Sequence, residues 1–138
     1  MRQDQQSFEE FIQQRRAAAL AFVSGDGTAV SELSSAIDLA TFFGPGGGHL
    51  TGGKQIKARY EHDARMFDDG SENALEILHA SASEGIGYWV GFQRTHARMK
   101  GNPEPVPMSL RVTEIFRREP GGWKLIHRHA DMLTDEQK

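Results

Sequence analysis

The sequence predicts an α+β fold in which three N-terminal helices pack on a curved, mostly antiparallel sheet. Two observations predict it. Between Phe8 and Phe67, apolar side chains recur at spacings of three and four residues, the period of a helix with one buried face. After Asp68-Asp69-Gly70 the pattern changes to an alternation of apolar and polar residues that continues to Asp131 and is typical of strands.

The first two helices are predicted from their apolar faces and their end signals. The first helix carries Phe8, Phe11, Ile12, Ala18, Ala19, Phe22 and Val23. Ser7 and Glu10 have the spacing of a capping box at its start, and Gly25 ends it. Asp26 or Thr28 is expected to cap a short second helix. That helix carries Val30, Leu33 and Ile37.

A short apolar strand, residues 38–43, and a glycine-rich loop, residues 44–48, precede the third helix, residues 54–67. That helix is expected to bury Ile56, Tyr60, Ala64 and Phe67. Residues 48–55 also approach the pattern of a phosphate-binding loop. Gln55 stands where that pattern has Ser or Thr, and the chain after the third helix is expected to meander without a parallel βαβ unit, so nucleotide binding is not expected.

Four strands follow, and the last two form a hairpin. The expected ranges are 74–83, 86–97, 108–118 and 123–131. In the second of these, Trp89 and Gln93 point to one face of the sheet, opposite Tyr88, Val90 and Phe92. The chain is expected to form a single domain over residues 1–138, with a core from about 8 to 131 and a polar tail at 132–138.

Composition excludes several classes of function. The formal net charge of -3 argues against a surface that neutralises phosphates, so no nucleic-acid partner is expected. The absence of cysteine excludes disulfides, thiolate nucleophiles and cysteine-based zinc sites. The N-terminus is polar, without the apolar region of a signal peptide, and no apolar run is long enough to span a membrane. A soluble cytoplasmic protein without a membrane partner is therefore expected.

The order of elements, the segment FFGPGGG at 42–48 and the segment LRVTEIFRREPGGWKLIHRHAD at 110–131 resemble the nuclear transport factor 2-like superfamily. The resemblance covers residues 8–131 and is strongest to SnoaL-like proteins and to the association domain of calcium/calmodulin-dependent kinase II. It implies a cone-shaped, cystatin-like and ketosteroid isomerase-like fold that encloses a pocket and dimerises through the outer sheet face. Isomerases, dehydratases, cyclases, epoxide hydrolases and non-enzymatic binding modules share this fold.

The resemblance also bears on two positions near the first strand. Steroid isomerases of the superfamily carry a catalytic carboxylate immediately before the proline of the loop after this strand, where this chain has Gly44. Isomerase chemistry by that carboxylate is therefore not carried over. Asp38 matches an acidic residue that is common in SnoaL-like sequences, and it is predicted to contact the ligand.

The last strand supplies the candidate catalytic residues. Strict alternation places Trp123, Leu125, His127, His129 and Asp131 on one face. On that face Asp131 can orient His129 as a general base, or the histidines can be structural and satisfied by hydrogen bonds. His127 and His129 also have the spacing of metal ligands, with Asp131 or His79 as a third ligand, but no second paired motif completes a site. No metal or other cofactor is expected.

The candidate ligand-binding residues come from several elements. Arg111 shares a face with Thr113 and can bind a carboxylate through two hydrogen bonds. The other candidates are His127, Tyr60, Trp89, Gln93 and Asp38.

Three functions remain open from the sequence. The first is a homodimeric binding protein for a small apolar molecule with an acidic or polar head. The second is an isomerase, dehydratase or cyclase that transfers protons through His129 and Asp131, with Arg111 or Tyr60 steadying an oxyanion. The third is a purely structural oligomerisation domain.

Overall fold

Helices and strands follow the predicted order, with one additional short strand. The structure is a computed structural model and describes residues 2–134 of the 138-residue chain. The helices are α1 (Arg2–Val23), α2 (Thr28–Leu33) and α3 (Gly53–Ala64). The strands are β1 (Thr41–Phe43), β2 (His49–Thr51), β3 (Glu72–Ser83), β4 (Ile86–Ala97), β5 (Val106–Glu119) and β6 (Gly122–Met132).

The first helix is longer at its N-terminus than the sequence predicted. Because α1 already begins at Arg2, Ser7 and Glu10 lie inside the helix and do not form its cap, so that prediction is wrong. The hydroxyl of Ser7 instead accepts a hydrogen bond from Trp123 Nε1 at 2.9 Å. Gly25 follows the helix with a positive φ of 107°, as expected for a glycine at a helix end. No helix within residues 2–134 is long and apolar enough to cross a membrane.

The six strands form one sheet in the order β2-β1-β6-β5-β4-β3. β1 runs parallel to β6, and every other neighbouring pair is antiparallel, which confirms the predicted α+β fold with a mostly antiparallel sheet. β1 begins at Thr41, so Asp38 lies in the preceding turn and not in the strand. β2, which was not predicted, returns along β1 after the glycine-rich loop.

The helices pack on the inner face of the sheet, and α1 also covers an edge. Near the start of α1, the ring of Phe8 lies 5.4 Å from that of Phe116 on β5. Farther along α1, Arg16 Nη1 donates to the carbonyl of Leu75 on β3 at 2.6 Å. The side chain of Gln5 accepts from the backbone N–H of Ala82 on the same strand at 2.8 Å. These bonds occupy backbone groups on the edge strand that another chain would otherwise pair with.

A β-bulge in β6 overturns the predicted alternation of that strand. Ile115 of β5 lies opposite His127, and the next residue, Phe116, lies opposite Leu125, so Ile126 has no opposite residue. The prediction that the five alternate residues from Trp123 to Asp131 share a face is therefore wrong. The residues buried on the inner face are Trp123, Leu125, Arg128 and Ala130. The residues on the outer face are His127, His129 and Asp131.

The C-terminal end of the described chain is part of the fold. β6 continues to Met132, and the backbone N–H of Leu133 donates to the carbonyl of Ser109 at 3.0 Å. The side chain of Leu133 is buried. In the predicted polar tail, Met132 thus belongs to β6 and Leu133 is buried, while residues 135–138 lie outside the described part of the chain.

Candidate ligand-binding site

A cavity of about 650 Å³ lies between the inner face of the sheet and the three helices. Its apolar wall includes Phe22, Val30, Phe42, Leu50, Met108 and Leu110. The exposed residues His49, Arg59 and Met66 also line it, so the cavity opens to solvent there. The polar side chains of its buried part are Arg15, Tyr60, Gln93, Thr95 and Arg128. Apolar walls with a few convergent polar groups are the usual composition of a small-molecule site.

Glu114 is the centre of a buried charge network at this cavity. Its carboxylate accepts two hydrogen bonds from Arg15, one from Nε and one from Nη2, each 2.8 Å long. Arg128, directly opposite Glu114 in the sheet, donates from Nη1 at 2.6 Å, and Trp89 donates from Nε1 at 2.8 Å. Glu114 is 0 % exposed and Arg15 is 3 % exposed. The network is therefore shielded from bulk solvent. Charge interactions are stronger in such a buried site than in water.

A chain of hydrogen bonds holds the second guanidinium in place. Arg128 Nη2 donates to Gln93 Oε1 at 2.8 Å, and Gln93 Nε2 donates to Asn73 Oδ1 at 3.0 Å. The same oxygen of Asn73 accepts from the hydroxyl of Thr95 at 2.8 Å. These bonds join β6, β4 and β3, so the positions of the Gln93 amide and the Arg128 guanidinium are fixed by the sheet.

The buried network contains two positive charges and only one negative charge. Burial raises the pKa of Glu114, but the attraction and hydrogen bonds of Arg15 and Arg128 outweigh burial and lower its pKa to about 2. Glu114 is therefore ionised at neutral pH, and both arginines stay protonated. Two guanidinium groups thus surround a single carboxylate.

Arg15 and Tyr60, two buried residues of the cavity lining, each carry a hydrogen-bond donor without a partner within residues 2–134. Arg15 Nη1 is buried and makes no hydrogen bond, although the other two nitrogens of this guanidinium both bind Glu114. Tyr60 is buried between the rings of Phe22 and Phe42, and its hydroxyl has no partner in the described chain. Burial raises the pKa of Tyr60, so its hydroxyl keeps its proton and can donate.

The structure divides the predicted site residues between the two faces of the sheet. Tyr60 and Gln93 line the cavity. Trp89 is buried and holds Glu114 instead of lining the cavity. Asp38 is exposed in the turn before β1. The remaining four residues lie together on the outer face: Arg111, His127, His129 and Asp131.

These four residues form a second cluster, which is open to solvent. Arg111 is 61 % exposed and donates to both carboxylate oxygens of Asp131, at 2.5 and 2.8 Å. This bond with Arg111 is the main reason that the pKa of Asp131 is lowered. His129 Nε2 lies 3.8 Å from the nearer oxygen of Asp131, beyond hydrogen-bond distance. The carboxylate that was predicted to orient His129 is therefore bound mainly to Arg111.

His127 is tied to the neighbouring strand. Its Nδ1 lies 2.7 Å from the hydroxyl of Thr41. The ring of Phe43 meets the rings of His127 and His129 edge-on, at 5.0 and 5.5 Å. Burial and the neighbouring His129 lower the pKa of His127. Within residues 2–134 no group of three or more potential ligands could hold a metal ion.

Comparison with known proteins assigns the fold to a family. A model of the SnoaL-like domain matches residues 12–135. The chain belongs to the SnoaL-like domain family. A search of curated proteins finds no match.

Solved structures agree with this assignment, because several of them share the fold of this SnoaL-like domain. A Streptomyces avermitilis protein described as a candidate dehydratase of the NTF2-like family has a TM-score of 0.75 and 22 % identity, over 91 % of this chain and 95 % of its own. An NTF2-like superfamily protein from Salmonella enterica has a TM-score of 0.75 and 16 % identity, over 94 % and 91 %. A candidate calcium/calmodulin-dependent kinase II association domain from Exiguobacterium sibiricum has a TM-score of 0.69 and 14 % identity, over 93 % and 92 %.

The glycine-rich loop of this SnoaL-like domain forms part of the cavity mouth. Gly44, at the position where the steroid isomerases carry a carboxylate, lines the cavity and has no side chain to offer. The carboxylate of the described lining is that of Asp63, on α3 at the mouth. Both of its oxygens accept from Arg59 Nε, at 2.9 and 3.0 Å, so this carboxylate is paired with a cation.

The sequence contained a signal for the buried network that was not used. Arg15 follows Phe11 and Ile12 by four and three residues, so it lies on the apolar face of α1. Glu114 alternates with Val112 and Phe116, so it has the inward phase of β5. A charged residue in a buried position needs a partner of opposite charge. Pairing these two positions would have identified the centre of the buried charge network.

Proposed function

We propose that this SnoaL-like domain is a binding protein that holds a small apolar molecule in its cavity, with a polar head at the buried end. One observation carries the proposal: an apolar cavity of about 650 Å³ is lined by the buried residues Arg15 and Tyr60, and Arg15 Nη1 and the Tyr60 hydroxyl have no hydrogen-bond partner in the described chain. Unpaired buried donors are costly, so a ligand acceptor that reaches them gains affinity. The absence of a carboxylate at Gly44 favours binding over the isomerase reaction of related folds.

A neutral fluorescent probe tests this proposal independently of charge. N-phenyl-1-naphthylamine is expected to bind with one probe per chain. Ala19 lies in the cavity wall, so Ala19→Phe is expected to lower the affinity, whereas Ala17→Phe on the exposed side of α1 leaves it unchanged. Absence of probe binding to the folded wild-type protein, or an equal effect of the two substitutions, would reject the proposal.

We further propose that the domain forms a homodimer through its outer sheet face. The described helices lie on the other face, and the outer face includes Tyr88, Phe92 and the 42 % exposed Phe43. The structural similarity to candidate association domains supports assembly. By light scattering, Phe43→Glu is expected to give a monomer and Leu39→Glu, at an exposed position outside the strands, to leave the dimer intact. A wild-type monomer would reject this interface, and a dimer that binds no probe would favour the purely structural role.

An acid–base enzyme is the second candidate function. The observation that favours it is the 3.8 Å distance between His129 Nε2 and the Asp131 carboxylate, which lets a small movement complete the pair. Both residues lie on the outer face, so the substrate would bind there, with Arg111 as the nearby cation. Turnover by the wild type that is abolished in His129→Ala would establish this candidate in place of simple binding.

A further inference from the structure

We infer that the head group recognised in the cavity is a single carboxylate, bound by Arg15 Nη1 and Tyr60 Oη, and that the ligand is a monocarboxylic acid with an apolar body. This inference rests on the proposed binding function and deepens it. It concerns a site on the opposite face from Arg111, the arginine that the sequence suggested for a carboxylate. The structure supports it through charge, hydrogen bonding and shape, which are independent of one another.

The charge of the buried network is the first support. Arg15 and Arg128 together carry two positive charges, and Glu114 supplies one negative charge. At the mouth, Asp63 is paired with Arg59 and adds no net charge. A buried uncompensated charge is unfavourable, and one negative charge balances it. A neutral head group would leave the net positive charge of the network in place. A doubly charged phosphate would change it to a net negative charge.

Unpaired donors on the cavity lining can form hydrogen bonds with that negative charge. Arg128 uses Nη1 for Glu114 and Nη2 for Gln93, whereas Arg15 has a free Nη1 at a residue that lines the cavity. Tyr60 is buried and lines the same cavity. A carboxylate has two acceptor oxygens, one for each donor, and a bond from a guanidinium to a carboxylate is charge-assisted.

The shape and chemistry of the walls define the rest of the ligand. The lining includes the aromatic and aliphatic side chains of Phe22, Phe42 and Leu110. Met66, Met99 and Met108 also line the cavity. Methionine side chains are flexible and fit apolar groups of varied outline. The cavity therefore suits an aliphatic or aromatic body on the acid, with the charged end buried.

The test compares ligands that share one body and differ in the head. Binding of decanoate, 1-decanol and decyl phosphate to the wild-type protein is measured at neutral pH by displacement of N-phenyl-1-naphthylamine. Decanoate is expected to bind at least about tenfold more tightly than 1-decanol, because hydrogen bonds to charged groups are the stronger ones. Decyl phosphate is expected to bind less tightly than decanoate. Equal affinity for decanoate and 1-decanol would overturn the inference.

Variants assign the preference to the named donors. Arg15→Met leaves Glu114 paired with Arg128 and removes the excess charge, so the preference for decanoate is expected to disappear while the probe still binds. Arg117→Met, near the turn of the last hairpin, removes the same charge elsewhere and is expected to keep the preference. Should Arg15→Met fail to fold, Tyr60→Phe decides the question, because it removes one hydroxyl and is expected to weaken decanoate severalfold but not the probe.

The outcomes separate this inference from the function on which it rests. A preference that survives in folded Arg15→Met, or decanoate affinity that is unchanged in Tyr60→Phe, overturns the carboxylate site and leaves the binding function standing. Failure of the wild type to bind the probe, decanoate or 1-decanol removes the binding function itself.

Discussion

The two faces of the sheet carry the same pair of groups in opposite surroundings. On the inner face, Arg15 binds both oxygens of Glu114 with the carboxylate fully buried. On the outer face, Arg111 binds both oxygens of Asp131 with 61 % and 37 % of the two side chains exposed. Water screens the outer pair, while the inner pair has only protein partners. Equal hydrogen-bond geometry therefore does not imply equal roles.

The inner cluster is also unbalanced, and the outer one is not. Arg111 and Asp131 neutralise each other, whereas Glu114 is shared by two arginines. An excess charge at the wall of an apolar cavity is a binding determinant, because a ligand can compensate it. The outer pair has no such excess to offer a ligand. Its neighbours Phe43 and His127 lie on the outer face that we propose as the dimer interface.

Removal of the two carboxylates is expected to give the largest contrast. Glu114→Gln leaves two buried guanidinium groups without an anion and is expected to destabilise the fold by about 3–5 kcal/mol. Asp131→Asn exposes Arg111 to water, which solvates it, so little loss is expected. Urea unfolding of both variants measures the difference. Similar free energies of unfolding for the two variants would show that the inner network is not buried as described.

Acid unfolding is expected to follow the inner carboxylate. The folded-state pKa of Glu114 is about 2, below its ordinary 4.5, so its stabilising charge is fully present above about pH 4.5 and is lost as the pH falls through 2. The loss amounts to roughly 3 kcal/mol. The pKa of Asp131 is lowered as well, but this group is exposed. Asp131→Asn is thus expected to unfold over the same acid range as the wild type, and a midpoint shifted to much lower pH would contradict this.

The bulge at Ile126 decides which residues belong to which cluster. Because Ile126 is the extra residue, its deletion brings Leu125 and His127 into regular alternation without changing the pairing of Arg128 with Glu114. The variant lacking Ile126 is expected to fold with the same faces and to lose about 1–2 kcal/mol from the missing half-buried side chain. Urea unfolding gives the loss, and retention of the decanoate preference shows that Arg128 still faces inward. A deletion as damaging as Glu114→Gln would mean that the bulge is needed for the fold.

This bulge also marks the limit of what could be predicted from the sequence. The spacing of apolar residues predicts the helices and the order of the long strands, and the structure has the same order. It also predicts that Trp89 and Gln93 share a face, and both are buried on the inner face. The face of the sheet on which His127 and His129 lie depends on the one extra residue of the bulge. An alternating sequence pattern alone does not show where a bulge occurs. Strand β2 was not predicted, because three residues are too few to show an alternating pattern.

The buried network was missed for a different reason. Arg15 and Glu114 are 99 positions apart, and each looks like an isolated charge in an apolar pattern. Only the packing of α1 across β5 brings them together. The histidine motif is recognisable from its local spacing, which a sequence displays directly, whereas contacts between distant elements depend on the fold.

The smallest expected effect concerns His129, the residue that the sequence favoured most as a catalyst. Its side chain is 52 % exposed on the outer face, on the other side of the sheet from Tyr60 and Arg15. His129→Ala is therefore expected to leave the affinities for N-phenyl-1-naphthylamine and decanoate unchanged and to affect only dimerisation, through the lost contact with Phe43. Fluorescence titration and light scattering on the same sample measure both properties. A loss of ligand affinity without a change in oligomeric state would place His129 at the ligand site and remove the separation between the two faces.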